Sequence, residues 1–490
     1  MKKKLAILFL IMSISWCTFV LRYEVKAGIN TLFPPTPCEN LSLTREQKTE
    51  DFLSMYETIT SSMLTLNEYK KTYGFSFCEK KADYLKLIQS TRDDYEFFAA
   101  MTAILQDIPS FHTDLLYPTE IEHIRCYDSK KYAVNRKRIS KNLYWHQVLK
   151  DKSERIKVKY TELRYEDGKY LLSGNEEWCL EKIDEVSPEE YIKNQVSVFN
   201  LHYDGKNKKP YKNMIIFNDS EGKSVELKLI KENGEILYKN VKQSVSMEEA
   251  YIDKDITEVK EDPQVHEYAG FSYIKINNMA NAYGERTKEA LQSLNSNRVV
   301  LDLRDNYGGN TDFAAKYIYP YLYAKEITTE STWYMNASPE NRAISRNFFN
   351  RIYLRLKKTD DSPYSDTNTQ RQGRLYSSIV KQSYIGKAEA DKDVVILIGC
   401  GTGSAADRFA SDMKNAKLAV LIGNNTGGEG LMASYKASYL PNSGLVYIYM
   451  PGAAKNPDGS DNSAIGTSPN IYASDDKILE ECQKHFELKD

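Results

Sequence analysis

Cysteine is scarce: the chain has seven in 490 residues, none spaced Cys-x-x-Cys, which argues against a zinc cluster. Glycine (24) and proline (15) are too few for a collagen-like or low-complexity chain. Charge of one sign is also lacking, with a net of −2. Residues 1–27 carry five basic side chains (Lys2, Lys3, Lys4, Arg22, Lys26) against Glu24 alone, so the remainder stands at −6. An acidic body of this kind excludes nucleic acid as an expected partner. Only one long apolar run occurs, which excludes a multi-pass membrane protein. No internal repeat is present. What remains is an ordinary globular composition, 41% hydrophobic and 27% charged, long enough for about three domains.

The apolar run, Leu5–Leu21, follows Lys2-Lys3-Lys4 and precedes Val25-Lys26-Ala27. This is the form of an export signal, with small residues favouring cleavage after Ala27. At 17 residues it also fits an uncleaved anchor, the one way in which a membrane would enter. Trp16 directly before Cys17 argues against a lipidated cysteine. The six cysteines beyond the signal allow one or two disulfides in an oxidising compartment, with the pairing open.

Residues 28–43, with Pro34-Pro35-Thr36-Pro37, read as a linker. Thr44-Arg-Glu-Gln47 has capping-box form, and the spacing of Phe52, Met55, Tyr56, Ile59 and Met63 predicts a helix over about 45–63. Phe97, Phe98, Met101, Ile104, Leu105 and Ile108 make a second helical stripe that Pro109 stops. Ile108-Pro-Ser-Phe-His-Thr113 is then a turn beyond a buried helix, where a side chain is held yet reaches solvent. From about 157 to 245 short strands alternate with Asp-Gly, Glu-Gly and Asn-Gly turns: 157–163, 169–172, 214–217, 225–230 and 236–241. From Phe271 the pattern becomes α/β. Strands are predicted at 273–276, 299–303, 394–398 and 418–422 and helices at about 285–294 and 405–415, around a polar insertion of roughly 60 residues.

Val394-Val-Ile-Leu-Ile-Gly-Cys-Gly-Thr-Gly-Ser-Ala-Ala-Asp407 is strand, glycine turn, helix. As a dinucleotide fingerprint it fits badly: Ser404 stands where the third glycine belongs, and no acid ends the next strand. Ser404 has two readings. It can cap the helix, with Asp407 closing a near capping box. It can equally be a nucleophile whose hydroxyl sits beside free helix-start N–H groups able to hold an oxyanion. His112 alone serves as well for a cap or surface residue as for a base.

Three segments together, Arg304-Asp-Asn-Tyr-Gly-Gly309, Gly403-Ser-Ala-Ala-Asp407 and Ile422-Gly-Asn-Asn-Thr-Gly-Gly428, resemble the tail-specific, or C-terminal processing, serine protease family. Ile108–Thr113 is similar to the segment carrying the histidine in tricorn-like members, and Gly466-Thr-Ser-Pro-Asn-Ile471 to the family's terminal motif. The lysine of the Ser-Lys branch would stand 25 residues after the nucleophile; that position is Glu429, in Gly427-Gly-Glu-Gly430. The resemblance therefore implies Ser404 as nucleophile and His112 as base, with oxyanion donors from Ala405 and from Gly308 or Gly309. Glu429 and Asp461 are the candidates for the acid that orients His112, each also readable as a surface-loop residue. Phe111 directly precedes His112, where tricorn has a serine, and Ser110 stands one position early.

The implied architecture is a multidomain α/β protein. A signal peptide (1–27) precedes a helical N-terminal region bearing the base (28–155), a PDZ-like β-rich module (156–250) and an α/β, crotonase- and ClpP-like protease core (251–490). Leu180–Tyr191 resembles the carboxylate-loop half of a PDZ domain, with Ile183-Asp184-Glu185 in place of Ile-Asn-Gly. The implied activity is that of an exported endopeptidase, secreted or held at the cell surface or in the periplasm, acting on a polypeptide docked through its C-terminus, without metal or organic cofactor. Asp458-Gly-Ser-Asp-Asn462 lacks the closing glutamate of a calcium loop and reads as a polar turn. The other reading is a catalytically inactive family member that binds a peptide or hydrophobic ligand. Oligomeric state is open.

Overall fold

A computed structural model describes residues 36–38, 41–74, 76–116, 136–152, 157–172, 175–194, 201–212, 214–218, 224–241, 244–246, 263–339, 341, 357–359, 363–364, 375–432 and 435–488. The proposed leader, Leu5–Leu21 with it, and the divisions at 155/156 and 250/251 lie outside those residues. No helix among the described residues is long and apolar enough to cross a membrane. No disulfide joins the described cysteines.

The chain has the expected mixed α/β architecture, with a helical N-terminal region, a β-rich module and an α/β core. The helix Arg45–Ser62 starts on a complete capping box, Thr44 and Gln47 bonding each other's backbone N–H. Asp94–Leu105 starts on the Asp93 carboxylate and ends before Pro109. The module holds a seven-stranded sheet that includes Lys157–Glu166, Lys169–Leu172, Asn175–Ile183, Val225–Ile230 and Ile236–Val241. In it Asp184 (φ 44°) and Glu185 (φ 72°) take the two left-handed positions that Asn-Gly would usually fill. The Asp184 carboxylate offsets part of that cost by accepting from the Glu226 N–H at 2.8 Å.

The core sheet orders Gln264–Tyr268, Phe271–Lys275, Arg298–Asp302, Asp393–Ile398, Ala419–Gly423 and Ile471–Tyr472; all pairs but the first are parallel. Its strands are apolar on both faces because both are covered. Val299, Leu301, Ile396 and Ile398 pack under Ala405–Asn415 and Gly284–Gln292, whereas Val300, Val395 and Leu397 pack under Ile478–Glu487.

The polar insertion is a correction. It contains two eleven-residue strands, Glu326–Asn336 and Leu375–Ile385, paired antiparallel along their whole length and extended by Lys357–Thr359 and Gly452–Ala454. Half-buried strands rich in Ser and Thr show little hydrophobicity, and paired positions lie about 40 (Asn336 and Leu375) to about 60 (Glu326 and Ile385) residues apart, so pairing rather than composition defines them.

The N-terminal helices share one apolar cluster with the module and with the core's Leu440–Met450 segment. Asp114–Leu115 pairs antiparallel with Tyr447–Ile448, and the Leu116 N–H bonds Val446 O at 2.8 Å. That short ladder fixes the turn carrying His112 to the α/β core.

Candidate active site

Ser404 follows the strand Asp393–Ile398 and a glycine turn, and stands directly before the helix Ala405–Asn415. Its backbone is at φ 50°, ψ −118°, and its side chain makes no capping bond. The capping reading therefore fails at this residue. Asp407 does not close a box either: it is wholly buried and accepts from Thr426 Oγ1 (2.6 Å), Gly430 N (3.0 Å) and Asn462 Nδ2 (3.0 Å). Burial raises its pKa, and those donors oppose the rise.

Two turns flank Ser404. In the first, Gly308 (φ 102°) and Gly309 (φ 141°) lie so close that a Cβ on Gly308 would fall 2.8 Å from Ser404 Cβ and 2.7 Å from Gly403 O. The Gly308 N–H donates to Asn306 Oδ1 at 2.9 Å, so it is not available to an oxyanion. Among the described residues nothing accepts from Gly309 N or Ala405 N. Of the anticipated donors, Ala405 and Gly309 are open, and Gly308 supplies close approach instead.

In the second turn the Ser404 N–H donates to Gly428 O at 2.9 Å, and Gly403 bridges Gly428. The next residue, Glu429, takes φ 62°, and its side chain is fully buried. Its Oε2 lies 2.7 Å from His112 Nδ1 and accepts the His112 backbone N–H at 3.1 Å; its Oε1 accepts from Ser110 Oγ at 2.6 Å and Tyr69 Oη at 3.5 Å. Tyr435 stacks on the His112 ring, with centroids 5.6 Å apart and planes 14° apart. Burial, then the Glu429 charge, holds the Tyr69 phenol well above its ordinary pKa, so it stays a donor.

Glu429 is thus no surface-loop residue, because four donors converge on it inside the protein. Asp461 is buried too, but its oxygens go to Tyr364 Oη (2.5 Å), Ser463 N (3.0 Å) and Ala464 N (2.9 Å), away from His112. Ser110, one position before the expected place, reaches Glu429 because Phe111 turns outward: its ring lies 3.7 Å from where a Cβ on Gly403 would be. No hydrogen bond joins the Ser404 hydroxyl to the His112 ring. Two of the lysines that follow Ser404 in the chain are engaged elsewhere: Lys414 Nζ donates to Ser468 O (2.7 Å) and Lys455 pairs with Glu68 (3.2 Å). The Asp458 loop spends its carboxylate on Ser460 N at 2.9 Å, as a polar turn does. Tyr69 and Tyr435 carried no sequence signal, their roles being set by long-range packing, whereas Asn306 lay inside the Arg304–Gly309 motif without a role assigned to it.

Residues 270–473 match the model described as Peptidase family S41. Among solved structures, mature CPAF complexed with lactacystin is 12% identical with a TM-score of 0.54, the alignment covering 91% of this chain and 98% of that one. The photosystem II D1 C-terminal processing protease is 14% identical (TM-score 0.38; 90% and 97% covered). The tricorn protease is 12% identical (TM-score 0.34; 91% and 37% covered). No curated protein sequence matches the chain significantly.

Proposed function

We propose that this chain, a serine peptidase with a family S41 domain over residues 270–473, is an exported endopeptidase in which Ser404 is the nucleophile and His112 the general base. The observation that carries the reading is the 2.7 Å contact between His112 Nδ1 and the buried carboxylate of Glu429. A proton held on Nδ1 by that carboxylate leaves Nε2 as the unprotonated nitrogen, which is the tautomer a base requires. Nε2 takes the Ser404 Oγ proton as Oγ bonds the scissile carbonyl carbon, and the imidazolium formed faces a negative charge. The carbonyl oxygen becomes an oxyanion, for which the Ala405 and Gly309 N–H groups are the donors. Collapse breaks the C–N bond, the amine leaves with the proton from His112, and water repeats the sequence on the acyl-enzyme.

The hydroxyl-to-imidazole bond is one that forms on substrate binding, as is common for catalytic pairs, whose hydrogen bonds are often long or misaligned in the free enzyme. The substrate class is a polypeptide, which the PDZ-like module would hold through a free C-terminus. Residues 1–27 act as a cleaved leader, and N-terminal sequencing of exported protein starts at Gly28; recovery of full-length chain from membranes alone would favour an anchor. The central test is a fluorophosphonate probe with mapping of the modified peptide. Labelling confined to the peptide holding Ser404, lost in Ser404→Ala, is expected; unlabelled but well-folded protein would overturn the assignment.

A further inference from the structure

The mechanism leaves two large aromatic side chains beside Ser404 without a task. Phe111 lies between Ser110 and His112, and Tyr307 directly precedes Gly308. They are 41% and 55% exposed and meet edge to face, with centroids 6.1 Å apart. A single exposed apolar side chain needs no explanation, but a paired one on both catalytic turns does. The seat of Phe111 is shaped for it. A Cβ on Gly427 would fall 2.1 Å from Phe111 Cε2, so glycine at 427 is what admits the ring. Phe111 also lines a cavity of about 160 Å³ together with the apolar Ile108, Pro109 and Leu201 and the polar Gln106, Thr113 and Asp114, so a recess of mixed lining opens beside this ring. A half-exposed aromatic pair of this kind can pack against a further aromatic or aliphatic group.

We propose that Phe111 and Tyr307 form an apolar subsite for the substrate side chain flanking the scissile bond, so that cleavage favours bonds next to Phe, Tyr, Trp, Leu or Met. This rests on the peptidase assignment of Ser404. The test uses the full chain. Fluorophosphonate labelling of Ser404 checks that assignment separately, and a peptide mixture digested and read by mass spectrometry gives the preference. Matched fluorogenic peptides bearing Phe or Ala at the preferred position then give kcat/KM, expected to be at least ~10-fold higher for Phe.

Tyr307→Ser and Phe111→Leu should each lower that Phe-to-Ala ratio by roughly fivefold or more, mainly through KM. A general loss of structure would lower both rates and leave the ratio unmoved. Tyr307→Ser is the cleaner variant, since Phe111 neighbours His112 in the chain. Labelled Ser404 with a flat or charge-directed preference, or an unchanged ratio in both variants, would overturn the subsite. Failure to label Ser404 would overturn the peptidase assignment and the subsite with it.

Discussion

Glu429→Gln tests the arrangement at its most informative point. The wild-type carboxylate accepts from His112 N and lies 2.7 Å from His112 Nδ1 through Oε2, and accepts from Ser110 through Oε1. A glutamine keeps one acceptor. It can turn its carbonyl to His112 and its amide to Ser110, whose hydroxyl accepts it in place of the Thr113 hydroxyl now donating at 3.0 Å, so the backbone geometry survives and the charge is lost. Two unit charges about 4 Å apart interact by roughly 4 kcal/mol at an effective dielectric of 20. His112 is 19% exposed and Glu429 fully buried, so water screens only part of this. Loss of that stabilisation of the imidazolium should lower kcat by about 10²–10³ with little change in KM. Fluorophosphonate labelling should slow by a similar factor, and the melting temperature should stay within a few degrees. Glu429→Ala differs, because it leaves several donors facing a void at about 1–3 kcal/mol each and should destabilise the fold as well. Glu429→Gln with kcat within threefold of wild type would refute the role given to this carboxylate.

Ser404→Ala should abolish peptide hydrolysis with a stability change below ~0.5 kcal/mol in denaturant titration, since no capping bond is lost. Ser404→Gly should be equally inactive yet more stable by about 1 kcal/mol, because φ 50°, ψ −118° costs a non-glycine residue ~1–3 kcal/mol; a destabilised glycine variant would refute the strain. Gly308→Ala should abolish activity and lower the melting temperature by roughly 5 °C or more, its methyl meeting Gly403 O, Ser404 Cβ and Ala405 N within 3 Å. Lys212 is buried, and desolvation, with Lys80 adding and Asp107 opposing, lowers its pKa to about 7. The unfolded chain then binds more protons than the folded one between pH ~7 and ~10.5, so stability should rise with pH there, by at most about 5 kcal/mol. Lys212→Met should remove that rise, as denaturant titrations at pH 7 and pH 9 would read.

Local features were legible where one segment determines its own structure. The Thr44–Gln47 box, the stripe ended by Pro109 and the strands at 169–172, 225–230 and 236–241 needed only periodicity and turn residues. The core strands were legible because burial on both faces leaves continuous apolar runs. The insertion was not, since Glu326–Asn336 gains its order from a partner far along the chain. In the site, Glu429 was marked by its place in a glycine turn, but its burial was not. That burial follows from Tyr69, Ser110 and His112 arriving from the N-terminal region, more than 300 positions away. Local sequence also misled at Ser404, where helix-start composition suited a cap and the backbone conformation forbids one.

Backbone strain separates the site from ordinary turns. Among the described residues, eight non-glycine residues have positive φ: Ser42, Asp167, Asp184, Glu185, Lys208, Ser404, Lys417 and Glu429. Six are exposed, where a turn can relax toward water and a glycine or asparagine would serve as well. Ser404 and Glu429 are the two that are not exposed, and the Gly403–Gly428 bridge with the Ser404 N to Gly428 O bond makes their turns adjoin. Two strained residues side by side, together costing roughly 2–6 kcal/mol, persist only where surrounding bonds over-determine them. Asp407 provides that restraint. Fixed on the helix that Ser404 opens, it bonds Gly430 N just beyond Glu429 and Thr426 Oγ1 just before the glycines, clamping the second turn to the helix start from both ends. The acid a sequence reader assigns to capping thus fixes the distance between the turn that aims the histidine and the turn that presents the serine.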